Sequence, residues 1–482
     1  MTSAESARHF IANAFTEGRS GRRIPVENPA TEAVVGEAAS ADAADIDDAV
    51  RAARAYADAP ETRDMPPVER MGMMFRMAEA IREIADTGAR WLCTESGKPL
   101  ADARGEFDEA ARYFDYYGGL ADKLEGRAIP LGGGYLDYTI PEPYGVSAQI
   151  VPWNFPVALA ARSLACALAT GNASVVKAPE EDPIALLMLG RAVQRAELPR
   201  GAVNIVCGYG EDAGAALVQH PGVDQIVFTG SVPTGQAILR AAAENVVPCV
   251  MELGGKSAGV VCPDADLETV AASVRTGIYF NSGQVCSAMS RLIVPESRHT
   301  EILDRVVALS ESLSIGPGIA GHAITPLISA EQRDRVEAYC LGAEQEGARL
   351  ATGGRRLDDR PGHYMPPTVV DRVQPGMRIA REEVFGPVLA VQTYPDDDTD
   401  RAVALANDTD YGLCAGVFTR DLDRAHRVAR RLRGGQIYVN EWFAGGVETP
   451  FGGVGLSGFG REKGQEALNN YLRTKNVAVR LG

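Results

Sequence analysis

Three short segments of this sequence hold side chains able to do covalent chemistry together. Cys286 lies in Asn281-Ser-Gly-Gln-Val-Cys286-Ser, a small, polar, turn-forming setting at the end of a helix-like stretch. Glu252 closes an apolar run and precedes Leu253-Gly254-Gly255-Lys256, so its carboxylate stands at a strand end beside two flexible glycines. Asn154, in Gln149-Ile-Val-Pro-Trp153-Asn154-Phe-Pro, occupies the turn between a strand and an apolar helix. A thiolate is a strong nucleophile for a carbonyl carbon and leaves readily from a thioester. An amide N–H aimed at the oxyanion so formed is worth about 2.7–4 kcal/mol. A carboxylate that activates water contributes roughly 10²–10⁴-fold. Each segment alone also has a plain structural role: Asn154 as a turn former, Glu252 as a solvated strand end, Cys286 as a buried thiol.

Most of the other cysteines lie in apolar surroundings, as Cys166 in Leu-Ala-Cys-Ala-Leu, and read as small buried hydrophobes. No CxxC pair occurs, no Cys/His cluster has zinc spacing, and the histidines are scattered, so no metal site is expected. Two glycine motifs are set aside. Gly453-Val-Gly455-Leu-Ser-Gly458 matches G-x-G-x-x-G without the strand-to-helix context of a dinucleotide fingerprint. Gly255-Lys256-Ser257 mimics a phosphate loop, with Val250 where glycine is required.

The elements that must position these residues are readable from periodicity. From Gly145 onward, β-rich runs at 147–151, 174–177, 203–207 and 225–229 alternate with helical stretches, which implies βαβ units around a parallel sheet. A second series follows Gly259, with strands to 261 and at 291–294, 413–418 and 436–440, and helices from 266 and 298. Two α/β domains fit this better than one. The first hundred residues read as helical, with Asp45-Ile-Asp-Asp-Ala-Val as a capped start. Over 67–87, Met71, Met74, Phe75, Ala78, Ile81 and Ile84 recur at helical spacing. Residues 126–144 read as a projecting hairpin, and 476–480 as a lone strand with no local partner. A two-stranded ribbon is marginal in water, so hairpin and tail are expected to complete a sheet with another subunit.

At 482 residues the chain has room for about 3 structural units. With 45% hydrophobic residues it can bury a core without disulfide or metal staples. Lys plus Arg number 48 against 64 Asp plus Glu, a net charge of −16 that argues against a nucleic-acid partner. No apolar run approaches the length of a membrane span, since 158–169 is broken by Arg162. The N-terminus has neither a basic nor an apolar leader region, so a cytoplasmic protein without a membrane partner is expected.

Taken in order, Asn154, Phe228-Thr-Gly230-Ser231 with Gly235, Glu252, Cys286, Glu383-Val-Phe385-Gly-Pro and the closing Pro450-Phe451-Gly-Gly…Ser457-Gly-Phe-Gly-Arg-Glu resemble the aldehyde dehydrogenase superfamily across almost the whole chain. The resemblance implies an α/β fold with two Rossmann-like α/β domains and a small β oligomerisation element. Residues 1–119 and 145–253 would form the cofactor-binding domain, 254–445 the catalytic domain, and 120–144 with 446–482 the oligomerisation hairpin and tail of a homodimer or homotetramer. It implies NAD⁺-dependent oxidation of a small-molecule aldehyde to the acid, with NADP⁺ less favoured. Cys286 would attack the aldehyde, Asn154 and the Cys286 N–H would hold the oxyanion, and Glu252 would activate the water that hydrolyses the thioester.

By the same resemblance, Lys177 and Glu180 would bind the adenosine ribose. Gly210, Gly214, Gly230 and Ser231 would let backbone and a helix N-terminus approach adenine and pyrophosphate. Ile150, Trp153, Phe228 and Leu253 would complete the cofactor cleft, and Glu383 would hold the nicotinamide ribose with Phe385 beside it. Arg162, Phe280, Trp442, Phe443 and Phe451 would line the aldehyde tunnel, where Arg162 would meet a carboxylate or a hydroxyl or, equally, hold an internal salt bridge. Succinate-semialdehyde enzymes pair an arginine like Arg162 with a second cation where this chain has Phe280, so an aromatic or medium-length polar aldehyde is expected. Two departures from the family's pattern are Gly455, often Lys, and Lys177-Ala-Pro-Glu180, more usually Lys-Pro-Ser-Glu. Alternative activities are a CoA-acylating semialdehyde dehydrogenase, against which Glu252 argues, and a cysteine hydrolase or acyltransferase, which would want a histidine near Cys286.

Overall fold

Five parallel strands lie side by side in the order Cys249–Glu252, Gln225–Thr229, Val146–Ile150, Ala173–Ala178, Val203–Cys207 in the computed structural model, which describes residues 5–482. Every position of Ala173–Ala178 and Val203–Cys207 is buried, as continuous apolar strands require when helices cover both sheet faces. The chain moves outward from Val146–Ile150 through 173 and 203, then returns to the other side at 225. The strand order therefore reverses between Val146–Ile150 and Gln225–Thr229, and the carboxyl ends there open a crevice of the kind that receives ligands. Ile150, Thr229 and Glu252 all stand at that end.

A second sheet runs Arg349–Thr352, Thr368–Asp371, Val388–Tyr394, Arg291–Pro295, Ala258–Val261, Cys414–Phe418, Gln436–Val439, parallel except for its first strand. The architecture is mixed α/β with two parallel sheets, as the strand–helix alternation anticipates. Helix Pro67–Ser96 opens on proline and stops at Gly97, whose φ of 78° suits the left-handed cap. It packs closely on Leu100–Gly118 at Gly88, where a Cβ would stand 2.1 Å from the Phe107 ring. No helix among the described residues is long and apolar enough to cross a membrane.

The structure corrects three expectations. Residues 5–40 are not helical. His9–Ile11 and Ala14–Thr16 form a hairpin through Ala12 and Asn13, both at positive φ, and add to the edge of the first sheet at Val203–Cys207. Arg23–Asn28 and Ala33–Ala39 pair in a separate sheet with Glu5–Ala7. Arg23–Asn28 turns only Ile24 and Val26 fully inward, so it carries no continuous apolar run of the kind that marks the central strands. The first long helix begins earlier than its sequence signal. Asp42 is the N-cap of Ala43–Asp58, and Asp45 sits at N3 as the reciprocal half of a capping box. The tail is not unpartnered: Leu472–Arg480 pairs antiparallel along Tyr135–Pro143, with Asn476 opposite Thr139, and Ala128–Ile129 completes the sheet. Within 446–482, Gly458–Phe459 instead joins the first sheet beside Cys249–Glu252.

Candidate active site

The backbone that carries Cys286 leaves helix Leu267–Tyr279 through an unusual turn. Asn281, Ser282 and Gly283 are successively left-handed, with φ of 47°, 53° and 74°. Left-handed backbone costs a residue with a Cβ about 1–2 kcal/mol, so this turn persists only because its surroundings over-determine it. Ser282 Oγ donates to Thr325 O at 2.8 Å, Gln284 Nε2 donates to Asn281 O at 3.1 Å, and Gln284 Oε1 accepts from Ile328 N at 2.9 Å. A Cβ on Gly283 would lie 2.1 Å from Gly386 O, so the turn rests directly on the Glu383-Val-Phe385-Gly-Pro segment.

Asn154 follows strand Val146–Ile150 and is buried. Its side-chain Nδ2 donates to Gln284 O at 3.1 Å, two residues before the thiol, while its main-chain O accepts from Asn281 Nδ2 at 3.2 Å. Asn154 and the Cys286 turn thus hold one another. Trp442 lies against the same turn. It is buried, and its Nε1 donates to Ser287 O at 3.0 Å, so it braces the turn from behind.

Glu252 is not a solvated strand end. It is 2% exposed, and neither carboxylate oxygen has a hydrogen-bond partner. Gly458 pairs opposite it, Leu253 N donates to Ser457 O at 3.0 Å, and Ser457 Oγ donates to Gly254 O at 2.7 Å. The glycine-rich motif set aside as a dinucleotide site is therefore a clamp on the Glu252 strand. Burial holds the Glu252 carboxyl well above the usual carboxylate range; Arg162 pulls it back and Glu462 pushes with burial. An orphaned buried carboxyl calls for a reason.

Cys286 is pushed up to about 12, chiefly by burial and then by Glu383 and Glu252, with Arg162 and the Ser287 N–H opposing. It rests as a thiol, with Glu383 and Glu252 as its acidic neighbours. Glu383 Oε1 accepts from Gly255 N at 2.9 Å, and burial pushes this carboxyl up to about 7 against that bond, Arg335 and Lys256. Gly255 also lies on the thiol's own backbone, since its Cβ would stand 2.5 Å from Cys286 O.

The remaining candidates fall into two groups along the crevice. At one end Lys177 Nζ meets Glu180 Oε2 at 2.5 Å, and Glu180 Oε1 accepts from Gly210 N at 3.4 Å, at the start of the tight turn Gly210–Gly214. Ser231 caps helix Val232–Asn245, accepting from Thr234 N at 3.3 Å. Gly230 and Gly235 lie on Phe228 and Leu253, where a Cβ would stand 2.5 Å and 2.8 Å from the respective side chains. Trp153 meets the Phe385 ring edge-on at 5.3 Å, near the strand end at Ile150.

At the other end Phe280 stacks on Phe155 at 5.8 Å and meets Phe443 edge-on at 6.2 Å. Phe155 carries no signal in the sequence beyond its place after Asn154. Of the two readings of Arg162, the internal salt bridge is the one formed: it is ion-paired with Glu462, both 3% exposed or less, with the Phe451 ring 6.0 Å from the guanidinium. Removing one member of such a pair would strand a buried charge at about 3–5 kcal/mol. Glu462 stood in the closing motif without a role, because its partner lies 300 residues away. Gly455 has φ of 62°, and a Cβ there would stand 2.7 Å from Asp410 O, so the departure at this position concerns loop geometry.

Residues 15–477 match the aldehyde dehydrogenase family. The chain is 39% identical over 475 residues to the mitochondrial benzaldehyde dehydrogenase of Antirrhinum majus, covering 98% of this chain and 88% of that one. Its structure superposes on the NAD⁺ complex of aldehyde dehydrogenase from Bacillus cereus with a TM-score of 0.97 and 37% identity, covering 99% and 97% of the two chains. An indole-3-acetaldehyde dehydrogenase complexed with NAD⁺ superposes at 0.96 with 36% identity, again covering 99% and 97%. The chain belongs to the aldehyde dehydrogenase family.

Proposed function

We propose that this enzyme oxidises an aldehyde to its carboxylic acid with NAD⁺, through a thioester on Cys286 that water hydrolyses. The observation that carries the reading is the convergence of Asn154, Glu252 and Glu383 on the Cys286 turn at the carboxyl ends of the first sheet. Cys286 gives its proton to a neighbouring carboxylate and bonds to the aldehyde carbon. The Asn154 amide and the Cys286 N–H receive the oxyanion, whose collapse to the thioester would release the aldehyde hydrogen as hydride to bound NAD⁺. Glu252 then takes a proton from the water that attacks the thioester, and the thiol is restored as the acid leaves. The unpartnered Glu252 carboxyl favours water over CoA as the acyl acceptor. Aldehyde-dependent absorbance at the NADH band, with the acid as product and no CoA requirement, is the test.

The crevice fits a nicotinamide dinucleotide. Lys177 and Glu180 offer a donor and an acceptor side by side for ribose hydroxyls, and Gly230 and Ser231 keep the helix N-terminus free of bulk for a pyrophosphate. Glu383 offers a carboxylate beside the thiol for the second ribose. NAD⁺, when bound, supplies the hydride acceptor. Phe155, Phe280 and Phe443 give the substrate end an aromatic wall, which supports an aromatic or medium-length polar aldehyde. Arg162 is occupied by Glu462, so a dicarboxylate semialdehyde gains no cation there. All eight cysteines are free, which suits the reducing cytoplasm.

NAD⁺ is expected to be preferred over NADP⁺ by about 10–100-fold in kcat/KM, because a 2′-phosphate would meet the Glu180 carboxylate while Lys177 offsets part of the repulsion. Measuring both cofactors in wild type and Glu180→Ser decides it. An NADP⁺/NAD⁺ ratio that does not rise in the variant removes Glu180 from the ribose site.

Hairpin and tail are assigned to subunit contact in a dimer or tetramer. Their sheet exposes Leu136, Ile140 and Val479, and its outer strand Leu472–Arg480 has one free edge. Deleting residues 474–482 should lower the molar mass seen by light scattering. An unchanged mass with unchanged thermal stability would place the interface elsewhere.

A further inference from the structure

We propose that Lys98 and Glu106 are positioning residues for the oxyanion donor, clamping the backbone at the carbonyl of Asn154 and at the helix start that follows it so that its amide faces the reacting carbonyl. The inference rests on the role given to Asn154 above. Lys98 follows the glycine that ends helix Pro67–Ser96, and Glu106 lies on Leu100–Gly118; neither belongs to the strands or turns that form the crevice. Both side chains are 2% exposed, and Lys98 Nζ donates to Glu106 Oε2 at 2.7 Å.

Each also makes a second attachment to the Asn154 segment. Lys98 Nζ donates to Asn154 O at 2.8 Å and stands 4.6 Å from the centre of the Phe155 ring. Glu106 Oε1 accepts from Val157 N at 2.8 Å and Ala158 N at 3.1 Å, the first N–H groups of helix Pro156–Ala169. That helix has no side-chain cap of its own at Phe155, so Glu106 supplies the acceptor its N-terminus lacks. The pair thereby fixes the carbonyl of Asn154 and the helix start three residues later as one unit.

The consequence falls on the Asn154 amide. One of its two N–H groups is spent on Gln284 O, and the second is the one left for an oxyanion. With the backbone held at the Asn154 carbonyl and at the helix start, the amide turns about its own side-chain bonds, and the Gln284 bond sets that rotation. Two charges are costly to bury, and a core need alone would be met as well by apolar residues of similar volume. Here the ammonium is the donor that grips the catalytic segment's carbonyl.

The test compares Lys98→Met, the charge-neutral pair Lys98→Met with Glu106→Gln, Asn154→Ala, and Lys98→Met combined with Asn154→Ala. Lys98→Met is expected to lower kcat about 30–100-fold, as a misplaced donor does, with the NAD⁺ dissociation constant within about 2-fold of wild type. In the Asn154→Ala background the same change should lower kcat by less than about 3-fold, because the donor it serves is already gone. If Lys98→Met does not fold, the neutral pair, which strands no buried charge, is read in its place. A kcat within about 3-fold of wild type in a folded variant, or losses that multiply in the Asn154→Ala background, would overturn the positioning role. Loss of fold in both variants would assign Lys98 and Glu106 to the core and equally overturn it. Full activity in Asn154→Ala would instead sink the oxyanion reading itself, so the two failures are told apart.

Discussion

Replacing Cys286 by alanine is expected to lower NADH formation by at least about 10⁴-fold, the scale on which losing a covalent nucleophile acts, while NAD⁺ still binds. The turn that holds the residue is maintained by Ser282, Gln284 and Asn281 through their own hydrogen bonds and by Trp442 at Ser287 O. None of these involves the sulfur, so the variant keeps the turn and loses only the bond-forming atom. Cofactor binding by fluorescence and the thermal midpoint should match wild type. Activity above about one hundredth of wild type in a verified variant would mean that another group attacks the aldehyde.

Glu252→Gln is expected to form acyl-enzyme at a normal or modestly reduced rate and then stall, with steady-state turnover down roughly 10²–10⁴-fold. Mass spectrometry after one turnover should show the acyl group on the Cys286 peptide; normal turnover, or no adduct, would remove Glu252 from the water-activating step. The pH dependence has a fixed sign. Burial holds the Glu252 carboxyl far above its ordinary value of 4.5, and only the deprotonated form accepts a proton. Wild-type deacylation therefore rises with pH through the folded value, and the variant lacks that rise. The same shift acts on stability. A carboxyl whose folded value is raised contributes stability that is fully present below its unfolded value and is lost as pH rises through the folded one. Glu252→Gln carries no such charge, so its thermal midpoint should gain on wild type as pH rises from the unfolded carboxyl range.

The candidate side chains were legible because a reading of candidate chemistry depends on residue type in a short local frame. Asn154, Glu252 and Cys286 each sit where a strand or helix ends, and such ends are marked by glycine, proline and the close of apolar periodicity. Strands Val203–Cys207 and Gln225–Thr229 begin and end where their β-rich runs do, because apolar residues bounded by turn formers mark them. The first forty residues were not legible, since strands such as His9–Ile11 and Ala14–Thr16 are three residues long and owe their state to pairing.

By itself, then, the sequence determined which side chains could do the chemistry and that parallel α/β sheets would carry them, since both follow from residue type and near-neighbour spacing. Only the tertiary structure decided what those side chains face. Arg162 reads equally as a substrate contact or an internal ion pair until Glu462 closes on it, and the tail reads as partnerless until Tyr135–Pro143 pairs with it. The orphaned state of Glu252 and the grip of Lys98 on Asn154 belong to the same class. Each depends on contacts between segments far apart in the chain, which sheet order and helix packing create and which no local pattern of residues encodes.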